Sequence, residues 1–214
     1  MNNYLTRFSG FLVSGFIFML VISGTCDRKL PAQNPLSCLE RTAALNPEES
    51  EYILPFPVGK SYILSQSYCN PYGGHSNQLA YDFAMQIGDT VCAARGGIVR
   101  QLRADQPDSG GGIEASNHNY LMIEHNDGTV AFYAHLKQNS IVVEAGDVIR
   151  EGQFIALSGN SGNTLGFPHL HFGVYQFWPP TETYDVPLNF RNAKGPLTES
   201  GILIADSLYT AIEY

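Results

Sequence analysis

The sequence predicts a mainly β domain, and three observations carry that prediction. Apolar residues recur at every second position in short runs, the pattern of strands with one buried face. Turn formers separate those runs, with 21 Gly and 12 Pro among 214 residues supplying many tight reversals. No long helical periodicity and no internal repeat interrupts the pattern. Seven strands are expected, over residues 62–67, 79–85, 97–102, 119–125, 130–136, 154–158 and 169–176. With 44% hydrophobic residues, a chain of this length can bury one good core.

The amino terminus is read apart from that domain. Arg7 is the only charge in residues 1–26, and residues 11–22 are apolar. This is the layout of a signal peptide over residues 1–24, ending on the small residues Ser23 and Gly24. The uncharged stretch 8–26 is also just long enough for a membrane anchor, so membrane association through this segment is the alternative. Cys26 raises a lipoprotein form, although Ser23-Gly24-Thr25 is a poor attachment signal. Residues 25–50 read as a polar, Pro-containing linker or lead-in. Residues 51–180 are expected to hold the chemistry, and 181–214 to form a C-terminal extension packing on that domain. The expected location is outside the cytoplasm, in the periplasm or cell envelope.

Within the domain, the run 79–85 places Leu79, Tyr81, Phe83 and Met85 on a core face. Ala80, Asp82 and Ala84 fall on the other, where two small side chains leave the carboxylate accessible. Strands disfavour Asp without a compensating role, so Asp82 is a candidate ligand. His75 lies upstream on a turn built from Pro71, Gly73 and Gly74. Near the end of the domain, His169-Leu170-His171-Phe172 puts Leu170, Phe172 and Val174 on a core face and both histidines on the opposite one. Imidazole is a common zinc ligand and the side chain most readily used for proton transfer near neutral pH. Between these motifs lies Tyr133-Ala134-His135-Leu136. Alternation puts Tyr133 on the face of His135, which would make it border a site there.

These motifs, in this order, resemble the lysostaphin-type, or LytM-like, zinc metalloendopeptidases of bacterial cell walls. The resemblance covers roughly residues 52–178 and includes the stretches YDFAMQIGDTVCAARGGIV (81–99) and IVVEAGDVIREGQFIALSGN (141–160). One departure is visible: six residues separate His75 from Asp82, where the family's common pattern has three. The resemblance implies a compact antiparallel β-sheet core of the duplicated-hybrid-motif kind, a barrel or sandwich, with the site in a groove on one sheet. It implies one zinc ion per chain on His75, Asp82 and His171, and catalytic roles for His135 and His169. Such a set leaves one zinc position for water. The activity implied is hydrolysis of peptidoglycan peptides, cross-links or stems, by a monomeric enzyme. The alternative is a catalytically silent wall-binding scaffold, or a hydrolase activator, of the same fold.

The remaining signals are weaker. His125, before the turn Asn126-Asp127-Gly128, and His118 are expected in structural or rim roles. Tyr68 and Tyr72 read more simply as packing or surface residues than as transition-state stabilisers. The Gly-rich loop 104–118 reads as a surface excursion and a candidate groove wall; no Lys-Ser/Thr follows it, which excludes a phosphate-binding loop. Among Cys26, Cys38, Cys69 and Cys92, a bridge between Cys69 and Cys92 would brace the first motif, buried free thiols being the alternative. The net charge of −8 makes nucleic acid an unsuitable partner.

Overall fold

Eleven strands in two antiparallel sheets make up the computed structural model, which describes residues 38–42, 45–72, 74–111, 118–180 and 184–214. They are β1 (Ser61–Gln66), β2 (Ala80–Phe83), β3 (Thr90–Cys92), β4 (Gly97–Arg103), β5 (Tyr120–Glu124), β6 (Val130–Ala134), β7 (Val148–Ile149), β8 (Phe154–Leu157), β9 (Leu170–Tyr175), β10 (Ala193–Lys194) and β11 (Ser207–Ala211). The larger sheet has the order β10-β11-β1-β2-β9-β6-β5-β4-β7, and β3 pairs with β8 in the smaller one. Every expected strand is present to within two residues at each end. The short strands β3, β7, β10 and β11 were not foreseen; each is fixed by its pairing partner rather than by a pattern of its own. The signal-peptide or anchor segment and Cys26 lie outside the described residues. Among the described residues no helix is long and apolar enough to cross a membrane.

Alternation holds where it positions the site. Leu79, Tyr81, Phe83 and Met85 are fully buried, as are Leu170, Phe172 and Val174. With Phe56, Phe190, Val91 and Ile155 they form one apolar cluster fed by both sheets. Each such large side chain, fully buried, contributes roughly 1.5–3 kcal/mol. The opposite face of β2 and β9 is thereby left for polar groups. Antiparallel pairing sets Asp82 opposite His171, and His171 opposite Ala134 of β6.

The loop between β1 and β2 is tied down from a distance. Cys69 forms a disulfide with Cys38, and Cys92 is a buried free thiol. The Cys69–Cys92 bridge is therefore incorrect: Cys92 faces the core from β3, and burial pushes its thiol up to about 11. Arg41 ion-pairs with Asp185 and donates to the Asn77 carbonyl at 2.7 Å, while Asp185 Oδ2 accepts from the Leu79 backbone N–H at 2.6 Å. Tyr68 is buried and stacked on Tyr81, whereas Tyr72 is 97% exposed.

His125 is a structural residue. Its buried ring donates from Nδ1 to the Gly96 carbonyl at 2.8 Å, Tyr52 packs edge-on, and Nε2 has no partner among the described residues. Burial, opposed by the Gly96 carbonyl and reinforced by the charge of Arg95, pushes its pKa down to about 4; Asp127 and Glu124 pull weakly the other way. Below pH 6.5 the unfolded chain takes up a proton that the native ring refuses. This contribution to stability, of roughly 2–4 kcal/mol, is present above pH 6.5 and is lost as pH falls towards 4. Urea unfolding between pH 7 and pH 4 should show that loss. His125→Asn, which keeps a donor at the Nδ1 position, should flatten the pH dependence by this amount relative to wild type.

Candidate metal centre

His75, Asp82 and His171 converge where the β1–β2 loop meets the β2–β9 pair. His75 Nε2 lies 3.1 Å from His171 Nδ1 and 3.2 Å from Asp82 Oδ1, and His171 Nδ1 lies 2.9 Å from the same oxygen. A tetrahedral zinc with ligands at about 2.0–2.1 Å has ligand–ligand edges of roughly 3.3 Å. The three atoms form a near-equilateral triangle only slightly tighter than that, so the donor set fits a metal ion. The seven-residue step from His75 to Asp82 is absorbed by the turn at residues 74–77, and His75 points into the cluster.

Two of the three donors are oriented by a second contact. His75 Nδ1 faces the Ser67 carbonyl at 3.3 Å; a carbonyl only accepts, so the proton sits on Nδ1 and Nε2 presents its lone pair. Asp82 Oδ2 accepts from Gln66 Nε2 at 2.9 Å. Burial alone would raise the Asp82 pKa, but hydrogen bonds from His171 and His75 outweigh it and hold the carboxyl well below the usual range. Burial disfavours the charged form of His75, yet its bond to Asp82 and that group's charge raise its pKa. For His171 burial wins over Asp82, and the pKa falls.

His135 and His169 stand beside this triangle with ring centroids 4.6 Å apart. His169 Nε2 is 3.7 Å from Asp82 Oδ2. Both rings donate from Nδ1 to a backbone carbonyl: His169 to Phe167 at 2.7 Å, His135 to Ser161 at 2.8 Å. Each is thereby fixed with Nε2 as the available nitrogen. Burial, then the neighbouring His169 and His171, push the His135 pKa down to about 3, which leaves it a neutral base.

His135 reaches this place by a break in the strand. Alternation alone would send it into the core with Tyr133, which is fully buried and accepts the Ala94 N–H through its hydroxyl at 2.8 Å. Tyr133 therefore does not border the site. His135 follows the end of β6 with φ of 59°, a left-handed conformation costing a non-Gly residue about 1–3 kcal/mol, and this swings its ring to the face of Phe132 and Ala134. The strained turn is held by buried polar groups. Asn119 donates to the Leu136 and Gln106 carbonyls and accepts the Gln106 N–H. Ser161 Oγ donates to the Leu136 carbonyl and accepts the Asn119 N–H. Gly159 lets the chain pass: a Cβ there would meet Lys137 N and Asp108 Oδ1 at 2.4 Å.

A cavity of about 580 Å³ opens over the five residues, with Met122, Phe132 and Tyr175 on its apolar side and Gln66, Gln78 and Thr164 among its polar lining. His118 stands at its rim, 5.5 Å from His135 between ring centroids. Gln66 was missed in the sequence because nothing in its local pattern marks it. Part of the expected groove wall, residues 112–117, lies outside the described residues; Asp108 and Gly110 are bonded to Asn160.

The model of the family described as Peptidase family M23 matches residues 76–185, starting one residue after His75. An uncharacterized metalloprotease of Buchnera aphidicola subsp. Baizongia pistaciae is 34% identical over 127 residues, 57% of this chain and 31% of that protein. The peptidoglycan DD-endopeptidase ShyB of Vibrio cholerae is 37% identical over 125 residues, 56% of this chain and 26% of that protein. The solved structure of a zinc containing peptidase from Vibrio cholerae superposes with a TM-score of 0.45 at 30% identity, covering 64% of this chain and 39% of that one. The chain thus spans a third or less of these curated relatives.

The support of His135 can be tested through stability. Asn119→Ala leaves the Gln106 carbonyl and N–H without their side-chain partner and removes one of the two side-chain donors to the Leu136 carbonyl. Chemical denaturation should register a loss of about 2–4 kcal/mol.

Proposed function

The chain belongs to peptidase family M23, and from that premise we propose that it is a zinc-dependent endopeptidase hydrolysing peptide bonds of bacterial peptidoglycan. The observation that carries the reading is the pairing of a three-donor cluster with two further histidines whose free nitrogens share one groove. His75 Nε2, Asp82 Oδ1 and His171 Nδ1 would hold the ion, two neutral nitrogens and one carboxylate oxygen leaving it a net positive charge. Zinc so held supplies Lewis-acid chemistry, polarising a carbonyl and lowering the pKa of water towards 7.

The chain's own groups complete the reaction. With Nδ1 of each ring committed to a carbonyl, Nε2 of His135 or His169 takes the proton of the attacking water. The ring that has taken the proton is then an N–H donor at Nε2 and passes that proton to the leaving amine. The apolar floor of Met122, Phe132 and Tyr175 excludes bulk water from one side of the groove. Peptide cross-links and stems, long and flexible, suit an open groove on a sheet face better than a closed pocket. The setting we assign is the cell envelope, reached by export directed by residues 1–24, and the oxidised Cys38–Cys69 pair accords with a compartment that permits disulfides.

Incubation with intact sacculi should release new amino and carboxyl ends detectable by mass spectrometry, and a chelator should abolish them. No new ends on any wall type would refute the enzymatic reading. Metal analysis separates the two kinds of histidine. His171→Ala should lose zinc, whereas His135→Ala and His169→Ala should retain near-stoichiometric zinc and lose turnover by on the order of 10²-fold or more.

A further inference from the structure

Gln66 is placed by an irregularity in the sheet. In an unbroken strand it would share the face of Leu64, which is fully buried in the core. The pairing of β1 with β2 instead slips between these residues: Leu64 is opposite Phe83, and Gln66 is opposite Asp82. One residue of β1 is thus extra, and Ser65 turns its hydroxyl to the Asp82 carbonyl at 3.0 Å. Bulges of this kind re-aim a side chain, and they are over-represented beside active sites. Here the bulge moves Gln66 from the core face to the site face, where it lines the cavity.

The orientation of its amide is fixed by chemistry. A ligating carboxylate has only acceptors, so the group 2.9 Å from Asp82 Oδ2 must be the Nε2 donor. Oε1 then faces away from Asp82, buried and with no partner among the described residues. A buried acceptor without a donor is costly unless something supplies one. Neighbouring side chains with N–H or O–H groups do not reach it, so the amide is held by the one bond it makes through Nε2, to the carboxylate of the cluster.

We propose that Gln66 is a positioning residue for Asp82. Its amide nitrogen holds Asp82 Oδ2 so that Oδ1 alone is offered to the metal. The inference rests on the metallopeptidase reading and adds to it the group that sets how Asp82 meets the metal.

The test uses metal-free full-length protein and Gln66→Met, which keeps the length of the side chain and removes both polar ends. Zinc affinity, measured by competition with a chromophoric chelator, should weaken by about 10–100-fold, as for other groups that orient metal ligands, while far-UV circular dichroism shows the metal-free protein still folded. Gln66→His, which restores one donor and one acceptor, should recover part of the affinity. Zinc affinity of Gln66→Met within twofold of wild type overturns the proposal. Equal zinc losses in both variants would mean packing alone, and would overturn it too. Wild-type protein that binds no zinc would instead refute the metallopeptidase reading, and this inference with it.

Discussion

The site depends on one strand register. β9 lies between β2 and β6, and its His171 is opposite Asp82 on one side and Ala134 on the other. Because side chains alternate, a slip of one residue in either pairing would turn Asp82 or His171 into the core and bring Phe83 or Phe172 out. The register is held by what lies beneath it. Tyr81, Phe83, Leu170 and Phe172 are all fully buried in the same cluster, so a slip would exchange several buried aromatic and aliphatic side chains for polar ones. The apolar face of these strands thus fixes the geometry of the polar face, and the ligand cluster needs no separate folding instruction beyond the placement of His75.

His75 is the exception, and the structure treats it as one. It lies in a loop rather than a strand, and loops hold a side chain to a few tenths of an ångström only when their ends and middle are tied. The Cys38–Cys69 disulfide, the Arg41 contacts to Asp185 and Asn77, and the Asp185 bond to the Leu79 N–H tie this one. All of them come from residues more than thirty positions away. They also stand against the electrostatic tension of the cluster. Burying a carboxylate is expensive unless it is paired and hydrogen-bonded, and Asp82 collects His171, His75 and Gln66 around it.

What could be read from the sequence divides along the same line. The faces of β2 and β9 were legible because period-two alternation is a local property, and it assigned Asp82, His169 and His171 to the polar side correctly. The same rule misplaced Tyr133, since it presumes a strand that continues through His135, and the left-handed turn there is imposed by Asn119, Ser161 and Gly159 from other parts of the chain. Gln66 escaped for the equivalent reason: a bulge is a mismatch between two strands and leaves no mark on either one alone. The disulfide partner of Cys69 is likewise a matter of where residue 38 lies in space. The strands β10 and β11 owe their existence to pairing, β11 with β1 and β10 with β11, rather than to propensity, so the C-terminal extension became part of the sheet.

The irregular positions are therefore informative. Two of the three ligands sit within regular strands, where the backbone fixes a side chain most rigidly, as a metal site of defined edge lengths demands. The two histidines assigned to proton transfer sit just outside strands, His135 after the end of β6 and His169 before the start of β9, each aimed by one bond to a carbonyl. A group that must meet a proton on a substrate whose atoms move during reaction gains from a single pivot at Nδ1, which fixes direction while permitting small rotation. A ligand gains from the opposite. The break at His135 costs stability that the buried Asn119 and Ser161 bonds compensate, and strain of this kind, held by surrounding structure, is found where geometry serves chemistry. The regular part of the sheet builds the place for a metal, and the places where regularity fails bring His135 and His169 beside it.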